Sequence, residues 1–281
     1  DADSSRKPNR SDDDSKEYSS KEILFASANT ILADTLKLAV TTSFNNSGLS
    51  DKLLPQIKKD LDLNIKLLVV GTGQAIRLGK AGDVDAILVH SKPAEEIFIK
   101  KGFGTHRRRI MYNDFVIIGP NYDPAGLKKA TNVNDAMTLI HDVGVPFISR
   151  GDDSGTHKKE ITLWTNANLD PNNFGDWYTS VGSGMGSSLN MSASMNAYVL
   201  SDRASWLNFK NKSDLIILFS DDALLFNQYS FIPISKSKHR HVKFELAKKL
   251  EDWLTSPTAR LIIDSYQING KSLFKFNAIN K

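Results

Sequence analysis

The sequence predicts an α/β protein of two lobes, each a sheet flanked by helices. Three observations predict it. From residue 36 onward, short apolar runs alternate with longer amphipathic ones, the rhythm of a sheet covered by helices. Several apolar runs end in turns rich in Gly, Ser and Thr that open the next helix. The rhythm is broken by extended segments at 111–119 and about 226–234, which serve as crossings between lobes. A chain of 281 residues is long enough for two modest domains.

The first lobe, residues 34–116 plus 229–281, begins with a strand over 36–40 that ends in Thr41-Thr42-Ser43. A helix over 48–60 follows, then a strand over 65–70 ending in Gly71-Thr72-Gly73 and a short helix over 74–81. A strand over 86–90 and a helix over 94–101 complete the first run. In open sheets of this kind, ligands bind beyond the carboxyl ends of the strands, near the helix N-termini. The second lobe, residues 117–228, opens at the turn Asn121-Tyr122-Asp123-Pro124. It continues with a helix over 133–142, a strand over 145–148, a helix over 157–168 and a weaker strand over 177–181. Gly182-Ser183-Gly184-Met185-Gly186 then opens a helical stretch to about residue 210, and a strand follows over 215–219. An amphipathic helix over 244–265, interrupted at Ser256-Pro257, closes the chain.

Residues 1–33 differ from the rest. Residues 1–20 are Ser, Asp, Lys and Arg with almost nothing apolar, a composition expected to be disordered. The semi-apolar run 23–33 has two readings: the tail of a secretory signal cleaved after Ala33, or an ordinary N-terminal helix or linker. The absence of cysteine excludes disulfides, thiolate catalysis and cysteine-rich zinc sites. No apolar stretch reaches the roughly 18 residues of a membrane span. A net charge of +4 is only mildly basic. The one dense basic run, Arg107-Arg108-Arg109, lacks interleaved aromatics, so no nucleic-acid partner is expected.

Three turns after strands share one chemistry: residues 41–48, residues 71–74 and Ser149-Arg150-Gly151-Asp152-Asp153-Ser154-Gly155-Thr156. Each offers hydroxyls, amides or glycines at the start of a helix, where free N–H groups and the helix dipole favour an anion. Taken singly, each turn is explained by capping; three turns able to converge on one cleft point to an oxyanion site. Arg150, at the end of a buried strand, is the sharpest residue, because its planar fork can bind an oxyanion in bidentate fashion. Its alternative role is a salt bridge to Asp152 or Asp153.

Other chemistries fit less well. A serine hydrolase using Ser154 is the reading from another class. The spacing Gly151 to Ser154 is not that of a G-x-S-x-G elbow, and His157 lies only three residues on. His90, His141, His239 and His241 have no distinctive setting in the sequence. Gly71-Thr72-Gly73 lacks the third glycine of a dinucleotide loop, and no P-loop is present. The glycine-rich run at 182–186 is by default a flexible turn, with cleft lining as the sharper reading. His239-Arg240-His241 is too short for a metal site. The four tryptophans are expected in cores or lobe packing.

Thr41-Thr42-Ser43 with Ser47-Gly48-Leu49, Gly71-Thr72-Gly73-Gln74-Ala75, Tyr112-Asn113-Asp114-Phe115 and the long segment 149–160 resemble the TupA family, in order and over about residues 36–274. These are the tungstate-binding proteins of bacterial ABC importers. The resemblance implies a type II periplasmic-binding-protein fold with two crossing strands as hinge and no enzymatic activity. It implies a tetrahedral oxyanion in the cleft, tungstate first and molybdate or another such ion as the alternative. It also implies Thr42, Ser43, Thr72, Arg150, Ser154, Gly155 and Thr156 as ligand residues, with no cation-binding metal site and no cofactor. A periplasmic or other extracytoplasmic monomer that delivers its ion to a membrane permease completes the expectation. The first turn departs from the family pattern: Val40 stands where a threonine is frequent, and Phe44 replaces a small polar residue.

Overall fold

Residues 35–279 are described in the computed structural model of the chain. The expectations for residues 1–33 lie outside them. Strand β1 (Thr35–Thr41) pairs in parallel with β2 (Asn64–Val70) on one side and β3 (Ala86–Val89) on the other. Short helix α1 (Thr42–Asn46) and α2 (Ser50–Leu61) follow β1, α3 (Thr72–Ala81) follows β2, and α4 (Lys92–Lys100) follows β3. The helices start and stop where local chemistry dictates. In α2, Leu53 and Ile57, one turn apart, face the core, and Asp62 ends the helix in the left-handed region (φ 51°). Gly82 ends α3 in the same way (φ 73°), a conformation that costs glycine nothing.

The crossing strand β4 (Arg108–Pro120) is 13 residues long and belongs to both lobes. Its first half pairs with β9 (Phe226–Pro233), and its second half pairs with β7 (Tyr198–Asp202) and β8 (Leu215–Phe219), all antiparallel. Beyond β7, strands β5 (Phe147–Ser149) and β6 (Tyr178–Ser180) continue the sheet in parallel. The order is β2-β1-β3-β9-β4-β7-β5-β6. Strand direction follows from these pairings. β1 to β3 run in the same sense as β4, from its first half toward its second, whereas β5 to β7 run the opposite way. The carboxyl ends of the two parallel sets therefore point toward each other.

Two groups of apolar clusters flank the sheet. One unites Leu36, Val40, Phe44, Met111, Tyr229, Leu250 and Phe274 and is backed by a smaller cluster around Phe98 and Ile232. The other is centred on Phe147, Trp164 and Tyr198, with a second layer around Ile118, Ile148 and Trp206. Helices α5 (Val133–Val143), α6 (Gly155–Asn166), α7 (Met185–Met195) and α8 (Arg203–Asn208) cover the second lobe's strands, and α9 (Phe244–Leu254) and α10 (Pro257–Ser265) lie on the first lobe. Val40 and Phe44, the two departures in the first turn, are both buried in the first cluster. They pack rather than face the turn's outer surface.

The helical stretch expected to about residue 210 is not continuous. Asn196 adopts a left-handed conformation (φ 51°) and ends α7, and the buried run Tyr198-Val199-Leu200-Ser201 forms β7 in the middle of the sheet. The side chain of Asp202 then caps α8 by accepting from Ser205 N–H. Asn269-Gly270 turns a small hairpin between β10 (Gln267–Ile268) and β11 (Lys271–Ser272), and β12 (Lys275–Phe276) joins the edge of β4.

Side chains tie the crossing region together. Tyr112 and Phe226, on the two crossing strands, stack at 4.5 Å. Asn227 Nδ2 donates to Asn113 Oδ1 at 2.9 Å. Arg203, at the start of α8, grips Asp114 of β4 with Nε at 2.7 Å and Nη2 at 2.8 Å.

Candidate functional site

The first wall forms where β1, β2 and β3 end. β1 and β2 are in register through Thr41 and Val70, so Thr42 and Thr72 open their helices from adjacent strands. Thr41 caps α1: its Oγ1 accepts from Phe44 N–H at 3.3 Å. Thr42 and Ser43 are exposed in the first turn of α1, and Thr72 is half-exposed at the first position of α3. Ser43 Oγ lies 3.2 Å from His90 Nε2 and 3.5 Å from the Tyr229 hydroxyl. His90 directly follows β3, so all three parallel strands contribute to this wall.

The second wall forms where β5 and β6 end. Arg150 follows β5 directly, and the chain then turns through Gly151 (φ 60°) and Asp153 (φ 59°) into α6. A Cβ on Gly151 would come within 2.8 Å of Ser180 Cβ, so both the turn and its close approach to β6 call for glycine. Ser154 caps α6, its Oγ accepting from His157 N–H at 3.2 Å. Gly155 is exposed at the first helical position, while the Thr156 side chain is 8 % exposed and turned inward. Gly182 N–H donates to Arg150 O at 2.7 Å, which binds the glycine-rich turn ahead of α7 to the Arg150 turn.

The seven residues singled out in the sequence fall into these two groups: Thr42, Ser43 and Thr72 on one wall, and Arg150, Ser154, Gly155 and Thr156 on the other. Among the described residues, no hydrogen bond or ion pair joins one group to the other. The alternative role weighed for Arg150 is present: its Nη2 bonds Asp152 Oδ2 at 2.6 Å. Its Nε, however, is buried and has no partner. Burial opposes ionisation of Asp152, but hydrogen bonds from Ser154 and Arg150 outweigh it and hold the carboxyl below its ordinary range. Lys159, one turn into α6, is half-buried with its ammonium 6.0 Å from the centre of the Phe115 ring, and burial lowers its pKa.

The hydrolase geometry does not form. The Ser154 hydroxyl caps its own helix, and His157 Nδ1 accepts from Asp153 N–H at 3.0 Å instead of meeting Ser154 Oγ. A cavity of about 280 Å³ lies beside the crossing strands, lined in part by Asp114, Arg203, Asp221 and Lys275. It contains none of the seven residues, its carboxylates repel anions, and Arg203 is committed to Asp114.

Sequence reasoning missed His90 and Tyr229. A lone histidine after an apolar run carries no signal of its own; only pairing of β3 with both β1 and β9 brings these residues to Ser43. Desolvation depresses the His90 pKa from 6.5 to about 4, with hydrogen bonds to Asn227 and the backbone acting in the opposite sense. The ring is therefore neutral near pH 7. Because the folded state holds this proton less tightly than the unfolded chain, stability falls as the pH drops from 6.5 toward 4. The shift is worth up to roughly 3 kcal/mol. Urea unfolding at neutral and acid pH checks this: His90→Gln, which does not titrate, is expected to lose less stability on acidification than the wild type. Equal losses would assign the acid sensitivity to other groups.

Comparison with known proteins identifies the family. A family model described as a PBP superfamily domain matches residues 26–258. The tungstate-binding protein TupA of Peptoclostridium acidaminophilum is 45% identical over 245 residues, 86% of this chain and 85% of that protein. The solved structure of the tungstate-binding protein TupA from Desulfovibrio alaskensis G20 superposes with a TM-score of 0.84 at 41% identity, covering 87% of this chain and 99% of that one. The structure described as the tungstate ABC transporter from Geobacter sulfurreducens gives 0.69 at 46% identity, covering 83% and 98%.

Proposed function

The chain belongs to the PBP superfamily and, within it, to the TupA family of tungstate-binding proteins, and we propose that it captures tungstate between its lobes and delivers it to an ABC permease. It is a binding protein of a transport system and not an enzyme. The observation that carries this reading is the opposition of two sets of helix N-termini at facing strand ends, one of them bearing Arg150.

Lobe 1 (34–116 with 229–281) and lobe 2 (117–228) act as the two jaws. Thr42 and Ser43 offer hydroxyl and backbone donors from α1, and Thr72 offers them from α3. Ser154 Oγ accepts from His157 N–H, and its hydroxyl, like Arg150, exchanges its hold on Asp152 for the anion. Gly155 and Thr156 offer backbone N–H groups, since the one has no side chain and the other's is buried. Arg150 exchanges part of its hold on Asp152 for the ion. An array of donors suits a fully deprotonated tetrahedral dianion, which can only accept; a phosphate that keeps a proton requires an acceptor as well. Size distinguishes tungstate from sulfate. An ion bonded to both walls is bound more tightly by the closed form and shifts the population toward it. The closed form is what the permease recognises, on the periplasmic or other extracytoplasmic face of the membrane. No helix among the described residues is long and apolar enough to cross a membrane.

A thermal-shift series with tungstate, molybdate, sulfate and phosphate tests the reading, since a ligand of the native state raises the melting point with occupancy. Tungstate is expected to raise it most, with sulfate and phosphate inert at the same concentration. A larger shift with molybdate reassigns the ligand, and no shift with any of the four ends the oxyanion reading.

A further inference from the structure

Ser43 Oγ has three polar neighbours inside lobe 1: Thr41 Oγ1 at 3.2 Å, His90 Nε2 at 3.2 Å and the Tyr229 hydroxyl at 3.5 Å. A hydroxyl has one hydrogen to donate and two lone pairs to accept with. Whether that hydrogen is available to the cleft depends on what these neighbours do. Thr41 Oγ1 already accepts from Phe44 N–H, so its own hydrogen is free to go to Ser43. Tyr229 is fully buried, and its hydroxyl, at 3.5 Å, is the most distant of the three, so with Thr41 on one lone pair of Ser43 the other is left for the imidazole. The remaining neighbour is the imidazole, whose Nε2 donates in one tautomer and accepts in the other.

We propose that His90 is a positioning residue of the oxyanion site: in the liganded protein its Nε2 carries the hydrogen and donates to Ser43 Oγ, which turns the Ser43 hydrogen outward to the anion. The proposal rests on the reading of the cleft as an oxyanion site. An ion that only accepts has no use for a Ser43 hydroxyl whose hydrogen is given to the ring. The surroundings hold the ring in place for this role. It packs against Tyr229 with ring centres 4.8 Å apart, and its other side-chain partner is Asn227 of the second crossing strand, which in the liganded tautomer must donate to the bare Nδ1 instead of accepting from the ring. Asn227 is in turn bonded to Asn113 of the first crossing strand. The direction of one ligand-facing hydroxyl is thus set from the two strands that join the lobes.

Calorimetric titration with tungstate of the wild type, Ser43→Ala, His90→Ala, His90→Gln and the Ser43→Ala/His90→Ala double variant tests the proposal. His90→Ala is expected to weaken binding roughly tenfold or more, the worth of one hydrogen bond in a charged site. His90→Gln, whose amide nitrogen reaches the place of Nε2, is expected to stay within about threefold of the wild type. In the Ser43→Ala background, removing His90 is expected to cost less than about twofold, because the coupled partner is already gone. Equal costs of His90→Ala with and without the Ser43 hydroxyl overturn the proposal. Nitrogen-15 spectra of the wild-type imidazole in the tungstate complex give an independent readout if His90→Ala fails to fold: a protonated Nε2 supports the role, and a bare Nε2 ends it. A wild type that binds none of the four oxyanions ends the functional reading itself, an outcome distinct from an additive cycle in a protein that binds tungstate.

Discussion

Arg150→Ala is expected to weaken tungstate binding by about 2–5 kcal/mol, roughly thirtyfold to several thousandfold. Among the seven residues proposed to hold the ion, Arg150 is the one with a formal charge to set against a dianion. Its side chain is only 18% exposed, so little water screens that charge. Its Nε, buried without a partner, is a donor already removed from water. A second variant separates charge from loop geometry. Asp152→Asn keeps an oxygen to accept from Ser154 N–H, as Asp152 Oδ1 does at 3.2 Å, but removes the charge that competes for the guanidinium. It is expected to bind tungstate at least as tightly as the wild type. Calorimetric titration reads both results; unchanged affinity in Arg150→Ala removes that residue from the site.

Trp164→Ala is expected to destabilise the protein by about 3–5 kcal/mol, the range for deleting a buried aromatic side chain. Trp164 is 0% exposed and packs edge-on against Phe147 at 5.2 Å and Phe174 at 4.9 Å. Its Nε1–H donates to Glu160 Oε2 at 2.9 Å, an oxygen that also accepts from the Tyr178 hydroxyl. Truncation therefore empties the centre of the second lobe and strips one donor from a buried carboxyl whose pKa is already raised by desolvation. Thermal unfolding is expected to shift down by roughly 10 °C for a chain of this size. Trp164→Phe, which keeps most of the volume but not the donor, is expected to cost less. A shift of a degree or two for the alanine variant would mean that the cluster collapses around the gap.

The fold was legible where pattern and punctuation agree. The run at 65–70 followed by Gly71-Thr72-Gly73 reads as strand, turn and helix, and β2 and α3 form there. The crossing strand β4 was visible as an extended run too long for the surrounding rhythm. Strand β7 was not, because a small serine-rich helix merges into it and Asn196, which ends that helix, is an ambiguous stop signal. The hairpin turn Asn269-Gly270 was present in the sequence, but the two-residue strands beside it carry no periodicity. In the candidate site, residues that open helices after strands could be found by spacing alone. His90 and Tyr229 could not, since their meeting with Ser43 depends on strand order across separations of 47 and 186 residues.

The long shared strand also has a temporal meaning. The cluster behind the first wall draws on residues 36–111 and again on residues 229–274, whereas the cluster centred on Trp164 is complete within residues 115–225. As the chain emerges from the ribosome or an export channel, the middle of the sequence has all its packing partners before the beginning does. Its folding also shortens the loop that β9 and the last helices must close to reach β1 and β3. The first wall of the candidate site, encoded earliest, is thus the last to be finished, and a nascent fragment ending before residue 229 lacks the strand and helices that complete its cluster.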